Sequence, residues 1–253
     1  MTSAIIVVPC YNEEKRLDRA RFLAFKHSSQ SIKFLFVNDG STDNTLQLLE
    51  SLRTSNSERF SVLSLPGNQG KAEAVRQGIK AALDSNPDYV GFWDADLATP
   101  LDTISQFVDF AESHSKVLMV IGARVKLLGR NIERRRSRHY LGRVFATMAS
   151  AVLGLEIYDT QCGAKLFRAL PGIEALFEEP FCSRWIFDVE IIARLIRESH
   201  RNERLQVERV IYEFPLTEWR DIPGSKVGYR DFIRAAWELY HIHKHYFRKL
   251  TDE

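Results

Sequence analysis

Tyr89-Val90-Gly91-Phe92-Trp93-Asp94-Ala95-Asp96 joins five apolar residues to two carboxylates one residue apart. Read as a buried strand, the run ends by offering backbone and carboxylate oxygens to a cleft, and oxygen is what hard cations such as Mg²⁺ prefer. Taken alone, the triplet is more often a solvated acidic turn that caps the next helix. The neighbouring segments decide between the two readings.

Upstream, short β-branched or aromatic runs alternate with helical patterns. Strands are expected at Ala4–Val8, Lys33–Val37, Val62–Leu65 and Tyr89–Trp93, and helices at Glu13–Lys26, Asn44–Arg53 and Lys71–Asp84. Alternation at this spacing implies right-handed βαβ crossovers and a mainly parallel sheet. Ligands on such sheets sit beyond the carboxyl ends of the strands. Those ends read Pro9–Glu13, Asn38–Ser41, Pro66–Lys71 and Asp94–Asp96, so Asp39, Lys71, Asp94 and Asp96 are expected around one cleft.

Beyond Pro100 the pattern loosens, with a helix expected over Asp102–Ser113 and a strand over Val117–Ala123. No repeat or long linker divides the chain, so residues 1–253 read as one domain, a first half to residue 100 and an extension over 101–253. At 253 residues and 45% apolar, the chain can build a sizeable core. A net charge of +2 with both signs interspersed points to no nucleic-acid partner. Cys10, Cys162 and Cys182 are odd in number and lack zinc-site spacing, which fits a reducing, cytoplasmic setting without disulfides. The N-terminus reads as a first strand rather than a signal peptide. Val144 to Leu155 falls short of the ~20 residues that span a bilayer.

Gly40 permits a tight turn after the second strand. Asp43 or Thr42 reads as a cap for the helix that follows, whereas Asp39 at the strand's end is suited to a base or ribose. Gly67-Asn68-Gln69-Gly70-Lys71 is either a plain turn or a pyrophosphate contact. It lacks the Gly-Lys-Ser/Thr ending of a P-loop, and no Gly-x-Gly-x-x-Gly follows the first strand, which disfavours an ATPase and a dinucleotide-binding domain.

Val7–Glu14, Val37–Thr45, Gly67–Lys71 and Asp94–Asp96, in this order, resemble the nucleotide-sugar half of family 2 glycosyltransferases. Asp159–Phe167, Trp185–Glu190 and Thr217–Lys226 narrow the resemblance to dolichyl-phosphate β-glucosyltransferases and their polyprenyl-phosphate relatives. The resemblance implies a GT-A (Rossmann-like) α/β fold with helices flanking the sheet. In it Pro9, Tyr11 and Glu13 would line the base and ribose pocket, near Lys71. Asp39 would meet the nucleoside, and Asp96, with Asp94 nearby, a divalent ion on the diphosphate. For Pro9 and Tyr11 the plainer reading is strand termination, and for Glu14 a solvated first helical turn. Members of this group often carry a membrane helix at one end, and none is seen in this chain.

Such a reaction needs stabilisation of the departing diphosphate, for which Mg²⁺ or Mn²⁺ held by Asp96 is expected. A hydroxyl acceptor needs a general base, for which Asp188 is the spare carboxylate unless it serves as the N-cap ahead of Val189–Ile196. A phosphate acceptor, with a second pKa of about 6, is already a nucleophile at neutral pH and needs cations instead. Arg124, Arg134, Arg135, Arg136, Arg138 and Lys226 are the candidates, since Arg grips phosphate in a bidentate fork. Arg124 to Arg143 holds eight Lys/Arg against Glu133 and adjoins Tyr140–Phe145, a character suited either to a solvated face or to a membrane surface. On Phe232–Phe247 the expected apolar face is Phe232, Ile233, Ala236, Leu239, Tyr240 and His243, for the core or the membrane. His241, His243 and His245 alternate and cannot converge on a metal.

The expected function is therefore an inverting, metal-dependent transfer of glucose or a similar hexose from a UDP-sugar to a polyprenyl phosphate, at the cytoplasmic membrane face. Transfer to a saccharide hydroxyl in surface-polysaccharide assembly is the alternative. A sugar nucleotidyltransferase should have a Gly-rich, Arg/Lys-bearing first loop, unlike Pro9–Glu14, and a noncatalytic binder is expected to have lost one acid of the pair.

Overall fold

Val7, Leu35, Val37, Val90 and Phe92 turn to one face of a sheet, and Ile6, Val8, Phe34, Phe36, Tyr89 and Trp93 turn to the other. Both faces are buried, which is why these strands read as unbroken apolar runs rather than alternating ones. The computed structural model describes residues 1–26, 30–133, 136–201, 206–222 and 229–247. The chain runs β1 (Thr2–Cys10), α1 (Arg19–Ala24), β2 (Gln30–Asn38), α2 (Thr45–Ser55), β3 (Phe60–Ser64), α3 (Lys71–Leu83) and β4 (Tyr89–Trp93). It continues through α4 (Asp102–Ser113), β5 (Met119–Ala123), β6 (Asn131–Glu133), α5 (Arg136–Leu153), β7 (Ala164–Arg168) and the short α6 (Ala175–Glu178). Last come α7 (Phe187–Arg201), the short α8 (Val207–Val210), β8 (Ile211–Pro215), β9 (Glu218–Arg220) and α9 (Tyr229–Tyr246).

Seven strands form the main sheet in the order β3-β2-β1-β4-β7-β5-β8. β3, β2, β1 and β4 are mutually parallel. β7 alone runs against both of its neighbours, β4 and β5, and β8 is parallel to β5. The chain works outward from β1 through β2 to β3 and then returns to β4 on the other side of β1. That reversal opens a crevice at the carboxyl ends of β1 and β4, the usual place for a ligand. Because β7 is antiparallel to β4, its first residues arrive at the same edge.

Residues of α3, α5, α7 and α9 cover one face, and those of α1, α2 and α4 the other. On the second face Phe22 sets its ring edge-on to Phe34 and Phe36, at 5.3 and 5.0 Å between centroids. Each such buried ring contributes about 1.5–3 kcal/mol.

Four features depart from expectation. Glu13 begins a turn instead of a helix: its carbonyl accepts from Arg16 N and Leu17 N at 2.9 and 2.8 Å, and α1 starts only after Asp18, whose carboxylate accepts from Arg21 N. β6 and β9 form a separate parallel pair, and Arg220 N donates to Ala98 O at 3.1 Å, tying it to the loop after β4. On α9 the buried face is Ala235, Glu238, Leu239, Ile242 and Tyr246, while Ala236, Tyr240 and His243 are exposed. The rotation follows from Glu238, a charge that hydrophobic periodicity discounts but that is buried on hydrogen-bond donors. The side chains of Phe232 and Ile233 lie outside the described residues. Finally, α7 begins at Phe187, so Asp188 sits inside the first turn rather than capping it.

Candidate active site

The loops at the carboxyl ends of β1 and β2 are laced together. Asn12, at φ +53°, accepts from Thr42 N at 2.8 Å and donates its own N–H to Ser41 Oγ at 3.1 Å. Asp43 accepts from Thr45 N at 3.0 Å, but the N-cap of α2 is Asn44, which makes no side-chain capping bond, so neither Asp43 nor Thr42 is the cap expected there. Glu14 is more than a solvated turn residue, since it accepts from Asn44 Nδ2 at 2.6 Å.

Asp39 is buried and joins this pair of loops to the next. Its carboxylate accepts from Asn68 Nδ2 at 3.0 Å, Gln69 N at 2.7 Å and Gly70 N at 2.8 Å. Gly40, at φ +65°, allows the approach, because a Cβ there would lie 2.5 Å from Asn68 N and Gly67 C. Asp39 thus fixes the Gly67–Lys71 loop that leads into α3. Pro9 lies on β1 opposite Val37, and Tyr11 follows it, half-buried, in the loop. Glu13, expected in the same pocket, is buried and grips Arg16 in a bidentate pair at 2.7 and 2.6 Å.

Arg16 was not singled out from the sequence. Its Nη1 lies 3.9 Å from Asp96 Oδ2, so Glu13 orients a cation beside the carboxylate pair. The i,i+3 spacing of Glu13 and Arg16 is the signal that was available.

Lys71, first residue of α3, places Nζ 2.5 Å from Asp94 Oδ1 and 6.0 Å from the centre of the Phe187 ring. Burial works against its ammonium, but Asp94 and Asp188 outweigh burial and raise its pKa. Asp94 N donates to Gly163 O at 2.9 Å. On the other side, a Cβ on Gly163 would overlap the Asp94 carboxylate. Asp96 Oδ1 accepts from Ala98 N at 3.2 Å across Leu97, which adopts φ +53°. Such a left-handed non-glycine residue costs about 1–2 kcal/mol, a local strain typical of functional sites. Burial, reinforced by the charge of Asp94, raises the pKa of Asp96.

A divalent cation fits this donor set. Among the described residues no three His, Cys, Asp or Glu side chains converge as metal ligands. Mg²⁺ and similar ions ask less of the protein when phosphates are present, commonly one or two carboxylates. Asp96, a carboxylate held against its own charge, offers that oxygen, while Asp94 is shared with Lys71.

Asp188 is not a spare carboxylate. It is buried and paired with Lys165 Nζ, itself fully buried, which also donates to Cys162 O at 2.7 Å and lies 5.1 Å from the centre of the Phe92 ring. A base whose lone pairs hold a buried ammonium is poorly placed to take a proton. Lys165 was missed because a single lysine inside an apolar strand gives no pattern.

Arg124, at the end of β5, is also engaged. Its Nε and Nη2 hold Asp159 at 2.6 and 2.7 Å, and its guanidinium lies 5.2 Å from the centre of the Trp219 ring. Desolvation opposes the guanidinium, but Asp159 outweighs it and raises its pKa. Arg124 also lines a small cavity together with Phe145, Thr160 and Gln161 among others. Arg134, Arg135 and Lys226 lie outside the described residues; Arg136 and Arg138 are on α5, with side chains outside them.

A family model described as Glycosyl transferase family 2 matches residues 5–170. The chain belongs to this family. The family 2 assignment makes it a hexosyltransferase, with the GT-A fold that the resemblance implied. The dolichyl-phosphate beta-glucosyltransferase of Saccharomyces cerevisiae is 32% identical over 255 residues, covering 92% of this chain and 72% of that protein. The Homo sapiens protein of the same name is 28% identical, covering 95% and 75%. Among solved structures, glucosyl-3-phosphoglycerate synthase of Mycobacterium tuberculosis, in complex with Mn²⁺, UDP and phosphoglyceric acid, is similar at a TM-score of 0.64. That likeness spans 95% of this chain and 77% of the other at 15% identity, and is one of fold. No helix among the described residues is long and apolar enough to cross a membrane.

Proposed function

We propose that this family 2 glycosyltransferase moves glucose from UDP-glucose to a dolichyl or other polyprenyl phosphate, with inversion, using Mg²⁺ or Mn²⁺. The observation that carries the reading is the Lys71–Asp94 contact beside Asp96 at the end of β4, in a chain about 30% identical to dolichyl-phosphate beta-glucosyltransferases. The solved relatives that bind Mn²⁺ with UDP-glucose support the donor and the metal.

When bound, the ion would supply positive charge to the diphosphate as the glycosidic bond breaks. Asp96 would hold it. Lys71 positions Asp94 and adds a second cation to the same region. Pro9 and Tyr11 would line the base and ribose pocket, while Glu13 acts there through Arg16 and Asp39 through the loop it fixes. An oxygen of the acceptor phosphate would attack the anomeric carbon from the face opposite the departing UDP. At neutral pH that oxygen carries no proton that must be removed. The engagement of Asp188 by Lys165 therefore favours a phosphate acceptor over a hydroxyl. Arg124, Arg136 and Lys226 are the proposed acceptor-phosphate cations.

Exposed apolar side chains support contact with the cytoplasmic membrane face, where such an acceptor resides. Leu127 and Leu128 lie between β5 and β6, Tyr140, Leu141 and Val144 on α5, and Trp237 and Tyr240 on α9, all exposed. Amphipathic surfaces flanked by Arg bind anionic lipid this way.

The test is turnover of UDP-glucose with dolichyl phosphate in vesicles containing Mn²⁺, for the wild type and Asp96→Ala. The expected result is glucosyl lipid from the wild type only, abolished by chelation. Turnover that survives both chelation and the substitution would refute the metal role. Glucosylation of saccharides but not of lipid phosphate would move the acceptor to a hydroxyl.

A further inference from the structure

Two buried carboxylates on different helices are spent on one short segment of backbone between α6 and α7. Glu190 of α7 accepts from Cys182 N at 3.1 Å and Ser183 N at 2.9 Å. Glu238 of α9 accepts from Ser183 Oγ at 2.6 Å, Trp185 N at 3.2 Å and Ile186 N at 3.3 Å. Arg194 completes the frame, donating to the carbonyls of Leu176, Glu179 and Pro180 and to Glu190 itself. Burying charge costs several kcal/mol per ion unless hydrogen bonds offset it. A scaffold of this kind holds a loop in one shape.

What the loop presents is Arg184. Its side chain is exposed, and Nη2 donates to Gln69 O at 3.2 Å. The same guanidinium is the neighbour that a Cβ on Gly70 would meet, 3.8 Å from Nε. Arg184 therefore stands over the loop that leads into α3, the loop Asp39 fixes and from which Lys71 reaches Asp94. Among the described residues, one neutral carbonyl engages one of its five N–H donors. An exposed tie of this sort contributes little to stability and does not explain two buried carboxylates. A planar fork held above a glycine-bearing loop matches a phosphate oxygen pair.

We infer that Arg184 binds the diphosphate of the nucleotide donor, with Glu190 and Glu238 as the positioning residues that hold its loop. The inference rests on the nucleotide-sugar reading above and adds to it a contact from the second half of the chain. The loop's carbonyl at Gln69 holds the guanidinium until the diphosphate takes its place.

Calorimetric titration of the full chain with uridine, UMP and UDP in the presence of Mn²⁺ tests this in the wild type, Arg184→Ala and Arg184→Lys. Loss of a charge-assisted contact is expected to weaken UDP about ten- to a hundredfold in Arg184→Ala and less in Arg184→Lys. Uridine affinity and the nucleotide-free melting temperature should stay at the wild-type values. Equal UDP affinity in wild type and Arg184→Ala overturns the inference while leaving the donor reading intact. A parallel loss of uridine affinity also overturns it, by showing that Arg184 only shapes the loop. A wild type that binds no UDP overturns the donor reading, and this inference with it.

Discussion

Gly163 has no room for a side chain, because the Asp94 carboxylate occupies the place of its Cβ. Gly163→Ala should displace Asp94 from Lys71 without disturbing the core. A misplacement near 1 Å costs on the order of a hundredfold in rate, so kcat should fall by about that factor while the urea midpoint stays within experimental error. Steady-state kinetics beside a denaturation curve checks both halves of the expectation. At this scale the sequence was partly legible. Asp94 and Asp96 announce themselves by spacing and by the strand before them, and Asp39 by its turn. The partners that decide what each does were hidden: Lys165 and Asp188 are 23 residues apart, and Arg124 and Asp159 are 35 apart. Nothing local records such pairings.

α3 packs directly on the parallel half of the sheet, and Gly78 is the residue that allows it. A Cβ there would run into Val7 and meet Val37 Cγ2 at 2.8 Å. Helix propensity alone makes Gly78→Ala stabilising by about 1 kcal/mol, whereas overpacking costs about 1–3 kcal/mol. Overpacking should win, with a net destabilisation of up to about 2 kcal/mol in a chemical unfolding curve; a rise in the midpoint would contradict the packing argument. The helices themselves were legible to within a residue or two where the pattern is strong, as in α3 and α4. α9 was found but rotated, since Glu238 and Tyr246 face inward for polar reasons that a hydrophobic count cannot register.

Across the whole molecule the three thiols are free, with Cys10 and Cys162 buried and Cys182 exposed. Burial, partly offset by Arg124, raises Cys162 to about 11 from an ordinary value of 9.0. Partial desolvation and then the charge of Glu190 raise Cys182 to about 12. A thiol whose folded pKa is raised keeps its proton where the unfolded chain loses it. Its contribution to stability is intact below pH 9 and is lost as pH rises towards the folded values. Between pH 8 and 10.5 the wild type should therefore lose about 2 kcal/mol more than Cys162→Ala. Urea midpoints at the two pH values measure it, and equal losses would refute it. At this scale the strand–helix alternation and the cleft it creates were readable from composition and period. The reversed direction of β7 and the β6–β9 pair were not, because strand order is set by long-range contacts.

That reversed strand also bears on how the protein emerges from the ribosome. All four strand-end motifs are synthesised by residue 96, but β4, buried at all five positions, acquires its second neighbour only when Ala164–Arg168 is available. Until then its outer edge is an unpaired apolar strand, the kind that seeks another chain. A nascent chain halted near residue 100 would carry all four strand-end motifs and still be an aggregation hazard, because the outer edge of β4 has no β7 to pair with.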